Sequence, residues 1–203
     1  MCKFRLLRAD EIELRVAQMA KDNTSAMFLL YKDARADMNI LDECVGSLNW
    51  KREHTRDNHN CVVSIYDADK KEWVCKEDTG VESNTEAEKG LASDSFKRAC
   101  VNWGIGRELY TAPKGLWIKA ENDENIKYAR FAVGAIHYTP NRCIDGLVII
   151  DANKRIRYAV GVNIIVDSYL EENEKAKEYY MKKYNNTLNH REIVRELIIN
   201  NKI

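Results

Sequence analysis

Proline is nearly absent from this chain, with two residues in 203 beside nine glycines, and there is no internal repeat or low-complexity tract. That composition excludes a collagenous, proline-rich or linker-dominated protein and leaves an ordered chain rich in regular elements. Net charge is missing too, because 32 Lys and Arg are matched by 32 Asp and Glu. No global basic field announces a polyanionic partner, although a groove needs only local Lys and Arg density. No run approaches the ~18 apolar residues of a membrane span. No apolar stretch follows Met1-Cys2-Lys3-Phe4-Arg5 as a secretory leader requires. The expectation is a protein of a reducing cytoplasm without a membrane partner.

Missing motifs narrow the chemistry further. The six cysteines, at 2, 44, 61, 75, 100 and 143, form no CxxC pair. Free thiols packed as small hydrophobes are expected, not a disulfide framework. His54, His59, His137 and His190 show no HExxH or HxH spacing and read as surface or strand residues, not metal ligands. No GxxxxGK[S/T] loop is present to cradle a nucleotide phosphate. Gly104-x-Gly106 does not follow a strand, so it reads as a helix stop and a tight turn, not a dinucleotide fingerprint. Asp42/Glu43 and Asp67/Asp69 are acidic pairs, but the second falls at a turn tip, where Asp is common for backbone reasons. A metal nuclease needs converging carboxylates with a nearby Lys. No cofactor, metal or catalytic residue is expected.

What is present is a clear order of elements in a chain long enough for one sizeable core. Residues 11–19 and 26–31 read as a strand pair, followed by a helix from about Arg35 to Val45 that ends near Gly46. Three strands are expected at 49–56, 60–66 and 72–80. Cys61, Val63 and Ile65 share one face of the second, and Trp73 and Cys75 one face of the third. Ser83 with Glu86, or Thr85 with Glu88, offers a capping box for the next helix. Residues 121–127 are a polar connection into a three-stranded meander with turns at Thr139-Pro140-Asn141 and Asp151–Lys154. Helices are expected at 165–183 and 190–200. The reading is an α+β fold: an antiparallel strand-strand-strand-helix core within residues 1–120, and a β-meander with terminal helices in 121–203, continuous with it.

The most informative stretch runs from Glu88 to Tyr110. On a 3.6-residue period, Ala92, Phe96, Ala99 and Trp103 form one stripe with Cys100 at its edge, and Gly90, Asp94, Lys97, Arg98 and Val101 lie opposite. An adjacent Lys-Arg pair aimed outward from a packed helix suits phosphate contact. The plainer reading is a solvated helix face with Asp94 and Arg98 as an i,i+4 pair. Arg35 stands at a helix start, where a cation opposes the dipole. Its partner there is either a phosphate or a neighbour such as Asp33 or Asp37. Lys51 and Arg52 beside Trp50 mix cation and aromatic as single-strand binders do, while Trp50 itself reads as core. Arg107 either reaches DNA or pins its turn through Glu108.

The ordered set Asp94, Lys97, Arg98, Ala99, Trp103, Gly104, Leu109 and Tyr110 resembles the core helix of the Rad-fifty-two family of single-strand annealing proteins, especially its bacteriophage members. Upstream, Glu77, Asp78 and Gly80 resemble the end of that family's third core strand, and Arg35 and the Asn49-Trp50 pair stand in matching order. The similarity covers roughly residues 25 to 118. Two departures are visible. Val101 replaces a basic residue, and the connection from Gly104 to Leu109 is about two residues short. The resemblance implies ATP-independent annealing of single-stranded DNA in recombination or repair, by a ring-shaped homo-oligomer. It implies a phosphate groove formed by Arg35, Lys97 and Arg98, with Arg107, Lys51 and Arg52 as further DNA contacts. A phage exonuclease or a host single-strand-binding protein becomes a candidate partner, in the bacterial cytoplasm. Two other classes stay open: an end-protecting scaffold that recruits a recombinase or nuclease, and a metal nuclease.

Overall fold

Residues 50–79 form three consecutive antiparallel strands whose buried side chains, chiefly Cys61, Val63 and Ile65 of the middle strand, face a helix packed on one side of the sheet. The computed structural model describes residues 3–81, 87–121 and 124–203. Its elements are β1 (Ile12–Met19), β2 (Ser25–Lys32), α1 (Ala34–Val45), β3 (Trp50–Thr55), β4 (Asn60–Asp67), β5 (Glu72–Thr79) and α2 (Ala87–Asn102). They continue with β6 (Trp117–Lys119), β7 (Phe131–Tyr138), β8 (Ile144–Asp151), β9 (Ile156–Val160), α3 (Val162–Glu172), α4 (Glu174–Lys183) and α5 (His190–Ile199). The fold is α+β, with three antiparallel sheets ordered β1-β2-β6, β3-β4-β5 and β7-β8-β9. By contacts the chain divides into two units, Met1–Leu7 with Lys32–Tyr110, and Arg8–Tyr31 with Thr111–Ile203.

In the first unit, β4 is central, with Arg52 opposite Val63 on one side and Lys76 opposite Val63 on the other. Its inward residues Cys61, Val63 and Ile65 are buried, as their shared face suggests. Helix α2 packs on β4 and β5 through Leu91, Ser95, Phe96, Ala99 and Cys100, all buried. The buried stripe is thus turned slightly from the expected one, towards Leu91 and Ser95 and away from half-buried Ala92. The reason is a local contact: Ser95 Oγ lies 3.0 Å from the Asn58 carbonyl, in the turn between β3 and β4, and so belongs against the sheet. Gly80, just after β5, lies close against α2. A Cβ on Gly80 would stand 2.6 Å from Ser95 N and 2.9 Å from Leu91 O. The Val81 N–H donates to Asp94 at 3.0 Å, and Asn102 Nδ2 donates to the Glu77 carbonyl at 2.9 Å. Both capping-box candidates, Ser83/Glu86 and Thr85/Glu88, rest on residues or side chains outside the described ones.

Both glycine turns after α2 have the backbone their sequence suggests, with φ of 92° at Gly104 and 70° at Gly106. Gly46, at φ 83°, ends α1, and Asn49 Nδ2 donates to the Val45 carbonyl beyond it. Cys44, in the last turn of α1, is disulfide-bonded, which corrects the expectation of free thiols throughout. Local spacing reports only neighbouring cysteines, whereas a disulfide needs proximity in space. Cys61, Cys75, Cys100 and Cys143 are free.

The second unit holds the meander β7-β8-β9 in the expected order. Its core gathers Val148 of β8 with Ile165, Val166 and Leu170 of α3, Tyr180 of α4, and Ile193, Val194, Leu197 and Ile198 of α5. The single helix expected at 165–183 is two helices, broken at Asn173. There Nδ2 donates to the Tyr169 carbonyl at 2.8 Å, the competition with helical hydrogen bonding that Asn characteristically offers. Strand β6, which pairs with β2 from Ser25↔Lys119 to Met27↔Trp117, was not expected. Three residues are too few to show a period. Arg157, its side chain 2% exposed, joins this unit's polar interior by pairing with Glu121, Glu124 and Asp151.

Substituting Gly80 by Ala should lower stability by about 1–3 kcal/mol, because the new methyl meets helix backbone that cannot yield without moving α2. A urea midpoint equal to that of the wild type would show that Gly80 lies less closely against α2 than these distances imply.

Candidate nucleic-acid interface

With its apolar side against the sheet, α2 turns half-buried Lys97 and exposed Arg98 away from it. Arg98 finds its carboxylate in Asp78 of β5, with Nε 3.5 Å from Oδ1, since Asp94 is engaged at the Val81 N–H. The pair is only partly shielded, with the Arg98 side chain 44% exposed. Such a bridge contributes at most about 1 kcal/mol and can be exchanged for a phosphate.

Arg35 occupies the first turn of α1 with its side chain 80% exposed. Its Nη2 lies 2.6 Å from Asp33 Oδ2, and its backbone N–H donates to Asp33 Oδ1 at 2.7 Å. Asp33 is the N-cap of α1, so one carboxylate caps the helix and neutralises the cation that opposes its dipole. The Arg35 side-chain hydrogen bond, then its backbone N–H, hold Asp33 below the ordinary carboxylate range, and the charge of Lys97 adds to this. Arg35 and Lys97, from different helices, therefore share the field of one carboxylate.

Beneath them lies a buried ion pair. The Lys32 ammonium bonds Asp37 Oδ1, the two side chains being 5% and 0% exposed, and Lys32 Nζ also donates to the Lys97 carbonyl at 3.3 Å. Gly106 leaves room for the Lys32 stem, which a Cβ there would overlap. Burial pushes Asp37 up to about 6 against the opposing pull of Lys32. Burial also raises the Cys100 thiol far above its usual range, and the Asp37 charge adds to that. This Lys32–Asp37 pair was missed in the sequence, although two signals pointed to it. Period two along SAMFLLYK puts Lys32 on the face of Ala26 and Phe28, and Asp37 shares a helical stripe with Ile40 and Leu41.

The other candidates are dispersed. Arg52 faces inward, its guanidinium 4.7 Å from the centre of the Phe96 ring. Trp50 stacks on Phe96 at 6.1 Å and donates its indole N–H to Asp42 at 2.6 Å, the core role expected of it. Lys51 points to the opposite face of the sheet, with Nζ 5.0 Å from the Trp73 ring centre and 3.4 Å from Glu53. Arg107 pins its turn, but through carbonyls and not through Glu108. Its Nη2 donates to Val101 O at 2.8 Å and Asn102 O at 3.1 Å. Lys76 adds a bond to Asn102 O at 2.8 Å, so two cations complement the C-terminal dipole of α2. The six candidates thus form a helix-side group of Arg35, Lys97 and Arg98, an inward Arg52, an outward Lys51 and a capping Arg107.

Among the described residues, no three or more His, Cys, Asp and Glu side chains are grouped to hold a metal ion. His137 bonds Asp145 at 2.7 Å and His190 bonds Asp167 at 3.0 Å. Among the same residues no helix is long and apolar enough to cross a membrane.

No family model matches the chain, and no solved structure matches it. It is similar to the single-stranded DNA-binding protein DdrA of Deinococcus radiodurans, 33% identical over 108 residues, which are 52% of this chain and 51% of that protein. The chain thus matches about half the length of this curated relative.

The buried pair predicts an unusual pH response. Folded Asp37 binds its proton near pH 6, whereas an unfolded Asp waits until about 3.9. Its contribution to stability is therefore full below about pH 4 and is lost as pH rises through 6. Asp37→Asn should remove that slope, which lies between about pH 4 and 6 in a titration run from pH 4 to 7. At pH 7 it should also cost about 3–5 kcal/mol by leaving the Lys32 ammonium buried without its counter-charge. Urea denaturation across that range tests both, and a wild-type slope surviving in Asp37→Asn would assign it to another group.

Proposed function

We propose that this chain binds single-stranded DNA and anneals complementary strands without ATP, as a Rad-fifty-two-like protein of recombination or repair. The observation that carries the reading is the outward Lys97-Arg98 pair of α2, joined at Asp33 by Arg35 from a second helix. The similarity to a protein named for single-stranded DNA binding supports it. Annealing requires no bond chemistry. Phosphate repulsion must be neutralised while the Watson–Crick edges stay available, and contacts confined to phosphate are indifferent to sequence.

A formal charge of zero suits such a protein if subunits assemble, since one basic stripe per subunit then builds a continuous track. A homo-oligomeric ring, working in the bacterial cytoplasm with an exonuclease or a single-strand-binding protein, is part of this reading. Light scattering in the presence of DNA should give a particle much heavier than 23.5 kDa, and annealing should proceed in EDTA without nucleotide. A stable monomer argues against assembly. DNA binding without faster duplex formation points to the end-protecting scaffold, and cleavage of labelled DNA with Mg²⁺ or Mn²⁺ points to a nuclease.

Two substitutions test the site in opposite directions. Lys97→Ala/Arg98→Ala should weaken binding to all single-stranded sequences alike. It should also flatten the plot of log K against log[salt] by roughly 0.7 for each phosphate that is no longer neutralised. Asp33→Asn keeps a competent N-cap but removes the competing charge beside Arg35 and Lys97, so it should tighten binding several-fold at low salt. Unchanged affinity in both folded variants would move the phosphate site elsewhere.

A further inference from the structure

The three-stranded sheet of the first unit has a second face, turned away from α2, which no element covers among the described residues of that unit. Its outward side chains are Lys51, Glu53 and Thr55 on β3, Val62, Ser64 and Tyr66 on β4, and Trp73, Cys75, Glu77 and Thr79 on β5. The expectation that Trp73 and Cys75 share a face holds, and the face is this exposed one. Tyr66 and Trp73 stand directly opposite each other on neighbouring strands, their rings 5.5 Å apart and tilted by 59°. They are 38% and 41% exposed, far more than buried Phe96 on the other side of the same sheet. Lys51 leans over the Trp73 ring, and Ser64 and Cys75 bond each other at 3.2 Å in the adjoining row. The result is a shallow floor of two rings with an ammonium at its edge.

We propose that Tyr66 and Trp73 form a stacking platform for the bases of single-stranded nucleic acid, with Lys51 beside them for the backbone phosphate. This site is separate from the basic pair of α2 and rests on the single-strand reading given above. Two arguments select this occupant over a second protein surface. At the exposures quoted, the rings offer roughly 100 Å² each, whereas a lasting protein interface buries about 800 Å² on each partner. Two rings are too small an apolar surface for the second and the right size for one or two bases. The second argument is polarity, not net charge: Lys51 pairs with Glu53 at 3.4 Å, and Glu53, Thr55, Glu77 and Thr79 share the face with the two rings. A base stacks on any aromatic π-face and tolerates exposed polar neighbours such as Glu53 and Glu77, whereas a dry protein interface leaves such groups without water. The platform would add what phosphate contacts lack, a hold on unpaired bases that is released once the bases stack within a duplex.

The test compares oligo-dT with an abasic oligomer of the same length, which keeps the phosphates and removes the bases. Wild-type protein should prefer oligo-dT by about tenfold or more. Tyr66→Leu/Trp73→Leu should bring the two affinities together without altering the salt slope. Lys97→Ala/Arg98→Ala should weaken binding to both and keep their ratio. Equal wild-type affinity for the two oligomers overturns the platform while leaving the phosphate site standing, and this arm needs no variant to fold. A preference for oligo-dT that survives in Tyr66→Leu/Trp73→Leu also overturns it, as does a change in particle mass with unchanged affinity, which would give this face to a second copy of the chain. No binding of either oligomer by the wild type removes the phosphate site and the platform together.

Discussion

The distance between α2 and the sheet beneath it governs what the first unit can present. Gly80 brings the end of β5 within van der Waals range of Leu91 and Ser95, where a side chain would meet helix backbone. From that contact follow the burial of Phe96, Ala99 and Cys100 and, on the opposite side, the outward aim of Lys97 and Arg98. Asp94 at Val81, Asn102 at Glu77 and Trp103 at the Val63 carbonyl fasten the helix at both ends, the last at 3.1 Å. A stretch of sequence that looks like a binding motif is therefore mostly a packing motif. Among its described side chains, Lys97 and Arg98 direct their charge away from the core.

Charge balance has a structural meaning here. Arg35 meets Asp33, Arg98 meets Asp78, Lys51 meets Glu53, and Arg107 meets helix carbonyls. Exposed pairs of this kind stabilise the fold by no more than about 1 kcal/mol each, so exchanging an acid for a phosphate costs little stability. The Lys32–Asp37 pair is different. It is sealed from water and cannot trade partners, and breaking it would cost several times as much as an exposed bridge. The unit thus holds a fixed ionic base under a set of exchangeable surface pairs, and only the latter can respond to a polyanion.

The order of strands and helices was legible because each long segment repeats its own period. β4 puts Cys61, Val63 and Ile65 on one face, α1 and α5 carry apolar stripes, and Gly46, Gly104 and Gly106 take the backbones that glycine permits. What escaped lies below the reach of periodicity. β6 is three residues long, and the break between α3 and α4 depends on one asparagine side chain. The disulfide of Cys44 depends on distance in space. For the site, the outward aim of Lys97 and Arg98 could be read from helical spacing, but their acidic partners could not. Asp78 is twenty residues from Arg98 along the chain, and Asp33 is brought near Lys97 only by the packing of α1 against α2.

The same limit applies to aromatic residues, with a more useful consequence. In sequence, Trp50 beside Lys51 and Arg52 looked like a cation-aromatic cluster, yet the three separate onto two faces of one sheet. Trp50 and Arg52 turn inward to Phe96, and Lys51 turns outward to Trp73. Strand geometry makes this unavoidable, since adjacent residues alternate faces and only i and i+2 can cooperate. Lys51 therefore acquires an aromatic neighbour twenty-two residues away instead of one residue away, in a row set by the register Lys51↔Ser64↔Cys75. A cluster on a sheet is defined by register, and its members become visible only when strand pairing is known. That is why the floor formed by Tyr66 and Trp73 went unread in the sequence, although each of its residues is plainly there.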